Sequence, residues 1–328
     1  MNSSFWRVLL ICLFITIVAL LICPLIGPTP LNPSGIMVDG SLDAQIFWRA
    51  RLPRVLLAMI AGGALATAGV LFQALMRDAL ATPDTLGVSS GASLGAVAAI
   101  CFGWAGTAEL GGIWTASLIG ALAVLLLVVS LASRGEQVSS FTLLLAGITI
   151  NSMCIALILF LQSVTSLGRS LAVTRWLMGG VDAVEYTTLG LLTLFVIPSA
   201  LLVIARSRHW NLLAVGSDWA AAKGLNPKSS LRLGYAAGSI LAGSVTAITG
   251  PIGFAGLIVP HALRIIIGPD HRTLLPASFL IGGSFLAVCD AIGRTVFAPA
   301  ELPVGVITAL LGGPFFLWVL SSRATIKG

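Results

Sequence analysis

Charged residues are scarce in this chain. Asp, Glu, Lys and Arg make up 9% of its 328 residues, against roughly 25% in an ordinary soluble domain, and the mean hydropathy is +1.04. A chain with so few charges cannot cover itself with polar surface in water. No hydrophilic stretch is long enough for a soluble domain, so residues 1–328 are predicted to form a single transmembrane domain.

Motifs that would indicate chemistry are also missing. The P-loop pattern G-x-x-x-x-G-K-[ST] does not occur, so any ATP hydrolysis would take place on a partner. Neither H-E-x-x-H nor paired membrane aspartates occur, which argues against an intramembrane enzyme. The five cysteines lie in or beside apolar segments without a C-x-x-C spacing and are expected to act as small hydrophobic residues. We predict no catalytic residue, no metal site and no cofactor bound by this chain.

Apolar windows predict an all-α polytopic membrane protein with about ten transmembrane helices. The first window follows Arg7 and is long enough for a retained helix, unlike the short apolar region of a signal peptide. The eighth is short and holds Pro260, His261 and Arg264, which allows a broken or re-entrant segment. The segments lie near residues 6–26, 53–76, 88–104, 112–132, 139–164, 185–206, 231–249, 252–268, 273–296 and 303–322.

The distribution of Lys and Arg between loops predicts that both termini are cytoplasmic. With ten spans, twelve of these residues fall inside and six outside. The outside set is Arg49, Arg51, Arg54, Arg169, Arg175 and Arg294. Arginines at the outer ends of the second and ninth segments suggest an acidic partner outside. Two alternatives remain open, namely snorkelling to lipid headgroups and pairing with Asp39, Asp43 or Glu301.

The longest and most basic inner loop, about residues 207–230, contains a predicted short helix. Asp218 suits its first turn, Ala221 and Ala222 favour helix, and Gly224 followed by Pro227 would end it. A short surface helix can insert into a groove of a partner protein, or it can lie on anionic lipid. The residues assigned to this segment are Asp218, Ala221, Ala222, Lys223, Gly224 and Leu225.

Several polar residues lie within the predicted apolar segments. Asp290 is a carboxylate inside the ninth segment, so it is either a proton-relay group or a structural anchor held by Arg294 at i+4. Gln73 and Asn151 are expected to form interhelical hydrogen bonds or to line a cavity.

Longer motifs resemble a known family. They are the run from Gly250 to Leu320 with its Gly-Pro and Leu-Pro breaks, Arg51-Leu52-Pro53-Arg54, Arg294 before Glu301-Leu302-Pro303, Leu143 to Asn151, and Arg175 to Gly180. This pattern resembles the FecCD-type permease subunits of bacterial ABC importers for iron chelates, haem and cobalamin, and it extends over nearly the whole chain.

The resemblance implies a type II ABC importer permease fold in the bacterial inner membrane. It implies a second permease subunit, two ATP-binding subunits that carry ATP–Mg, and a periplasmic or lipoprotein substrate-binding protein, with no nucleic acid. In this family the positions of Arg51, Arg54 and Arg294 receive acidic residues of the binding protein, and the segment 218–225 is similar to the ATPase coupling helix. Ser139 and Ser140 correspond to an inner gate.

The sequence therefore predicts an importer permease that moves a metal chelate inward by alternating access. A ferric siderophore is the first expectation, followed by haem or cobalamin. The alternative is a proton-coupled secondary transporter that uses Asp290.

Overall fold

The structure is a computed structural model that describes residues 3–38, 40–104, 111–132 and 140–324. These residues form fifteen α-helices together with one π-helical and one 3-10 segment. In chain order the α-helices are α1 (Ser3–Ile22), α2 (Pro33–Ile36), α3 (Leu42–Gln45), α4 (Leu52–Met76), α5 (Val88–Phe102), α6 (Gly111–Ala132), α7 (Ser140–Val164), α8 (Leu167–Leu177), α9 (Tyr186–Ala205), α10 (Ser207–Val215), α11 (Ser217–Ala222), α12 (Pro227–Thr249), α13 (Ala255–Ile267), α14 (His271–Thr295) and α15 (Val304–Ala324).

The ten predicted segments are confirmed as helices. Seven helical stretches are long and apolar enough to cross a membrane, and three shorter apolar helices complete the set: Val88–Phe102, Ala255–Ile267 and Val304–Val319. The eighth segment is the continuous helix α13. Its 13 residues rise only about 20 Å, less than the roughly 30 Å of a hydrocarbon core.

Helix α4 lies at the centre of the molecule. It packs against α9, α12, α13 and α14, while α1 packs on the far side of α14. The close approach depends on glycine. A Cβ at Gly62 would overlap the carbonyl oxygen of Gly282 in α14, and a Cβ at Gly69 would overlap that of Gly256 in α13. Small residues at helix contacts are the usual way to pack helices where lipid removes the hydrophobic driving force.

The second span begins earlier than the sequence predicted. The π-helical segment Ile46–Arg51 runs directly into α4, so one helical stretch extends from Leu42 to Met76. The amide of Leu52 donates to the carbonyl of Phe47, five residues back. Pro53 lacks an amide hydrogen and would disturb the interior of a regular α-helix, and the π-helical turn directly before it is where the hydrogen-bond pattern changes. The Leu-Pro pair therefore marks a change of helical winding and does not end the helix.

The inner loop also contains more helix than predicted. It contains the helix α10, whose Trp210 is fully buried and donates from Nε1 to the carbonyl of Val203 at 2.7 Å. Gly216 separates α10 from α11. The short helix expected from Asp218 is therefore the second of two.

Candidate functional site

An ion-pair cluster lies where α4, α14 and the α14–α15 connection meet, at the predicted outer end of these helices. Arg54 reaches Asp290 through Nη2 at 3.0 Å and through Nε at 3.1 Å. Its Nη1 donates to Glu301 at 2.8 Å. Nε of Arg294 lies 3.0 Å from the second carboxylate oxygen of Asp290. The i, i+4 pair expected from the sequence is present, and Arg54 is an additional partner that the spacing could not reveal.

Burial differs strongly across this cluster. The side chains of Asp290 and Arg294 are 2% and 3% exposed, that of Arg54 is 14% exposed, and that of Glu301 is 44% exposed. A buried carboxylate costs several kcal/mol of desolvation, about what two close cations can return. Asp290 is therefore held as the anchor of the cluster, and Glu301 is its outward-facing member.

Arg51 lies at the same end of the molecule but binds the segment that follows α1. It is 5% exposed and donates from Nη1 to the carbonyl of Leu25 at 3.0 Å and from Nη2 to the backbone and hydroxyl oxygens of Thr29. Arg294 also reaches this connection, through a 3.3 Å hydrogen bond from Nη2 to the carbonyl of Cys23. The two arginines fasten the segment after α1 to the ends of α4 and α14.

The open alternatives for these arginines can now be compared with the geometry. The Glu301 partner is observed for Arg54, while Asp39 lies outside the described residues. Arg51, Arg54 and Arg294 all bind acceptors of their own chain, and no contact tests their predicted role in docking. That role stays a prediction.

A cavity of about 350 Å³ adjoins Arg54 and Glu301. The residues around it could not be grouped from the sequence, because they come from regions that are far apart in the chain. The charged and aromatic residues in its wall are Arg54, Arg175, Trp176, Asp182 and Glu301. Arg175 and Trp176 belong to a motif that was recognised, whereas Asp182 had no signal beyond its place in an outer loop.

The predicted coupling segment forms an exposed surface around α11. Asp218, Ala221, Ala222, Lys223 and Gly224 are exposed, and Gly224 has the left-handed φ of +81° expected of a helix-ending glycine. Leu225 packs against the core.

Two neighbours in this segment were missed. Ala220 is fully buried, and Trp219 is 53% exposed beside the Lys223 ammonium, which stands 5.2 Å from the centre of its ring. An exposed tryptophan next to a basic residue is a candidate contact for a partner protein.

The predicted pathway residues are described only in part. Gln73 in α4 accepts a 2.7 Å hydrogen bond from Arg264 in α13, so the expected interhelical bond is present. Its amide nitrogen is buried without a partner among the described residues. Asn151 lies half-buried in α7. Ser140 begins α7, but its side chain, like the whole of Ser139, lies outside the described residues. The gate assignment remains untested.

Within the described residues, no three His, Cys, Asp or Glu side chains come together as a metal site. All five cysteines are buried and free. The geometry of the described residues therefore offers a buried ion-pair cluster, interhelical hydrogen bonds and an exposed surface around α11.

Comparison with known proteins decides the family. The FecCD transport family matches residues 13–322. The chain belongs to the FecCD transport family. The resemblance inferred from the motifs is confirmed.

Individual relatives agree with this assignment. The chain is 39% identical to the hemin transport system permease protein HmuU of Yersinia pestis over 84% of its length and 83% of the relative. It is 38% identical to the vitamin B12 import system permease protein BtuC of Escherichia coli over 83% and 82%. This FecCD protein is thus a multi-pass transport permease of the ABC importer type, whose ATPase is a separate subunit.

Solved structures support the fold. One is described as a metal-chelate type ABC transporter in an inward-facing conformation and superposes with a TM-score of 0.86 at 27% identity, covering 97% of this chain and 99% of that one. PsaBC from Streptococcus pneumoniae superposes with a TM-score of 0.54 at 19% identity over 81% of this chain and 89% of that one, a likeness of fold alone.

Proposed function

We propose that this FecCD permease moves a metal chelate across the cytoplasmic membrane by alternating access, and that the chelate is a ferric siderophore. The proposal that the substrate is a metal chelate is supported by the likeness, over 97% of this chain, to a metal-chelate type transporter. Haem and cobalamin follow as substrates, because curated relatives include permeases for both.

Uptake into proteoliposomes tests the substrate. The permease is reconstituted with its ATPase subunit and a substrate-binding protein, and uptake of a ferric siderophore, haem and cobalamin is compared with and without ATP. We expect ATP-dependent accumulation of the ferric siderophore. Accumulation of haem or cobalamin alone would move the substrate assignment to that chelate.

The same vesicles test proton-coupled secondary transport through Asp290. That mechanism needs a carboxylate that is free to exchange protons, whereas Asp290 is bound by two guanidinium groups. Uptake driven by a pH gradient without ATP would overturn the ATP-driven mechanism.

We further propose the complete assembly. Two permease subunits form the translocation path, two ATP-binding subunits hold ATP–Mg on the side of α10 and α11, and a substrate-binding protein docks at the opposite side. Both termini of this chain are cytoplasmic, and the chain itself binds no cofactor. Cysteine labelling of the exposed Ser321 and Thr187 positions from one side of sealed vesicles would test this orientation.

Docking of the binding protein is proposed at Arg51, Arg54 and Arg294. Of these, Arg54 has the most exposed side chain, and its outward nitrogen is occupied by Glu301 at 2.8 Å. A carboxylate of the binding protein would have to displace Glu301 from Arg54 or bind Arg54 together with Glu301. The burial of Arg51 and Arg294 means that substituting them would disturb folding as well as docking.

Glu301→Gln tests docking without breaking the buried pair. If Arg54 receives an acidic residue of the binding protein, removal of the competing carboxylate should strengthen binding several-fold, an effect that weakens at high salt. Binding to permease in nanodiscs measures it, with Asp182→Gln as the matched control for an acidic residue in the same cavity wall. Equal affinity of the Glu301 variant and the wild type would argue against docking at Arg54.

A further inference from the structure

A second cavity, of about 920 Å³, lies at the opposite end of the molecule from the arginine cluster. It is enclosed by the start of α1, the junction of α9 with α10, the end of α13 and the start of α14. Its wall combines two arginines, Arg208 and Arg272, with apolar side chains that include Phe5, Val8 and Ile266.

The two arginines are available to an external anion. Both are exposed, and within the described part of the chain neither guanidinium forms an ion pair. Asp270 shares the cavity, but its Oδ1 accepts hydrogen bonds from Asn211 at 2.7 Å and from the amide of Arg272 at 3.0 Å. The charged residues of the wall are thus two arginines and one carboxylate, so the wall keeps a net positive charge.

An apolar groove lies next to this cavity on the same helices. It holds about 340 Å³ and is lined by Trp6, Leu9, Leu10 and Leu13 of α1, Ile204 of α9, and Pro276, Phe279 and Leu280 of α14. In α1 the two linings interleave, since Phe5 and Val8 line the cavity whereas Trp6 and Leu9 line the groove. In α14 the groove residues lie about one to two turns further along the helix than Arg272 and Thr273. A charged recess at the helix ends and an apolar groove therefore lie side by side on the same helices.

We propose that this recess and groove form a binding site for an anionic phospholipid. The phosphate of the headgroup lies between Arg208 and Arg272, and one acyl chain lies in the groove between α1 and α14. Basic pockets between transmembrane helices are suited to acidic headgroups, and the neighbouring apolar groove favours a lipid over a soluble phosphate. The competing occupant of the recess is an ATPase subunit. It would contact the two arginines, but the apolar groove would then be filled by bulk lipid only.

The site is tested by binding of phosphatidylglycerol to the purified permease in detergent. Native mass spectrometry measures retained lipid, and thermal unfolding measures stabilisation on lipid addition. The probes are phosphatidylglycerol, phosphatidylcholine of the same chain length, and glycerol 3-phosphate. We expect retention and stabilisation by phosphatidylglycerol, with much weaker effects of the other two. Equal stabilisation by glycerol 3-phosphate would reduce the site to a free anion site and overturn the proposal.

Two variants separate the headgroup from the chain. Arg208→Gln with Arg272→Gln should weaken phosphatidylglycerol binding about 30-fold, since each basic residue near an anionic headgroup contributes roughly fivefold. Leu10→Trp, which fills the exposed groove, should weaken binding of both phospholipids.

The matched control removes two other basic residues from the same end of the molecule, Lys228→Gln with Arg232→Gln, and should leave binding unchanged. Equal lipid retention in both double variants would overturn the site. Loss of the ATPase subunit with unchanged lipid retention in the Arg208/Arg272 variant would assign the recess to a protein contact instead.

Discussion

Asp290 is the buried carboxylate at the centre of the ion-pair cluster. It lies in a transmembrane helix with a 2% exposed side chain and is bound by Arg54 and Arg294. Removing one partner of a buried ion pair leaves the other charge uncompensated, which is far costlier than losing an exposed pair. The two carboxylates around Arg54 should therefore contribute very differently to stability.

Asp290→Asn should lower the free energy of unfolding by about 3–5 kcal/mol, because two guanidinium groups lose the buried carboxylate that pairs with both of them. Glu301→Gln removes an exposed pair and should cost about 0–1 kcal/mol. Thermal unfolding of the purified variants measures both. Equal melting temperatures of the two variants would show that Asp290 is not the anchor of the cluster.

The sequence predicted part of this cluster and could not predict the rest. The Asp290–Arg294 pair followed from an i, i+4 spacing, which is local geometry. Arg54 is 236 residues from Asp290, so its contact depends on how α4 crosses α14. The motifs containing Arg54 and Glu301 were both noticed, but nothing in a single sequence shows that they meet.

At the scale of elements, the contacts of α4 rest on glycine. Gly69 stands where the backbone of α13 passes, and Gly190 in α9 has no atom near the position of its absent Cβ. The same substitution at these two sites therefore separates packing from helix propensity.

Gly69→Ala should destabilise the permease by about 1–3 kcal/mol, since the added methyl group forces α4 and α13 apart. Gly190→Ala adds a methyl group to open space and should be neutral or slightly stabilising, up to about 1 kcal/mol. Unfolding of both variants in the same detergent is the measurement. A Gly69→Ala protein as stable as the Gly190→Ala protein would mean that the α4–α13 crossing can relax.

The start of α14 gives a pH-dependent prediction. Partial burial of Asp270 raises its pKa, but hydrogen bonds from Asn211 and the Arg272 amide outweigh this and hold the pKa below its ordinary value. A carboxylate with a depressed pKa stabilises the fold fully above its unfolded pKa of about 4, and this contribution is lost as the pH falls through the lower folded pKa.

Asp270→Asn should therefore reduce the loss of stability on acidification below about pH 4 while keeping the helix cap, since Asn is also a good capping residue. Melting temperatures of the wild type and the variant across this range provide the check. Parallel pH profiles would assign the acid sensitivity to other carboxylates.

The element boundaries show which features a hydropathy pattern predicts and which it does not. The ten spans were predicted because long apolar windows dominate this composition. The π-helical turn before Pro53 and the helix α10 were not predicted, because both depend on contacts that a hydropathy window does not contain. For α10 the signal available was Trp210 with Leu213, an i, i+3 apolar pair within a basic loop.

For the whole molecule, the surface around α11 is where we propose that the ATPase subunit connects. Ala220 is fully buried, whereas Ala221, Ala222 and Lys223 are exposed next to Trp219. The exposed positions can be altered without disturbing the core of this chain. A partner groove that fits small residues closely would not tolerate bulk or charge there, whereas a lipid surface would respond mainly to loss of basic residues.

Ala221→Glu should keep the permease folded but detach or uncouple the ATPase, because an unpaired carboxylate at a packed interface costs several kcal/mol. Co-purification of the ATPase subunit and ATP-driven uptake are measured together with binding-protein docking, which should persist. Ala222→Ser is the matched conservative control and should retain both activities. Lys223→Gln with Lys228→Gln tests the lipid-surface alternative, which expects this pair to impair transport and Ala221→Glu to have little effect. Full ATPase retention and transport in the Ala221→Glu protein would mean that coupling takes place elsewhere, leaving the exposed Trp219 surface without that role.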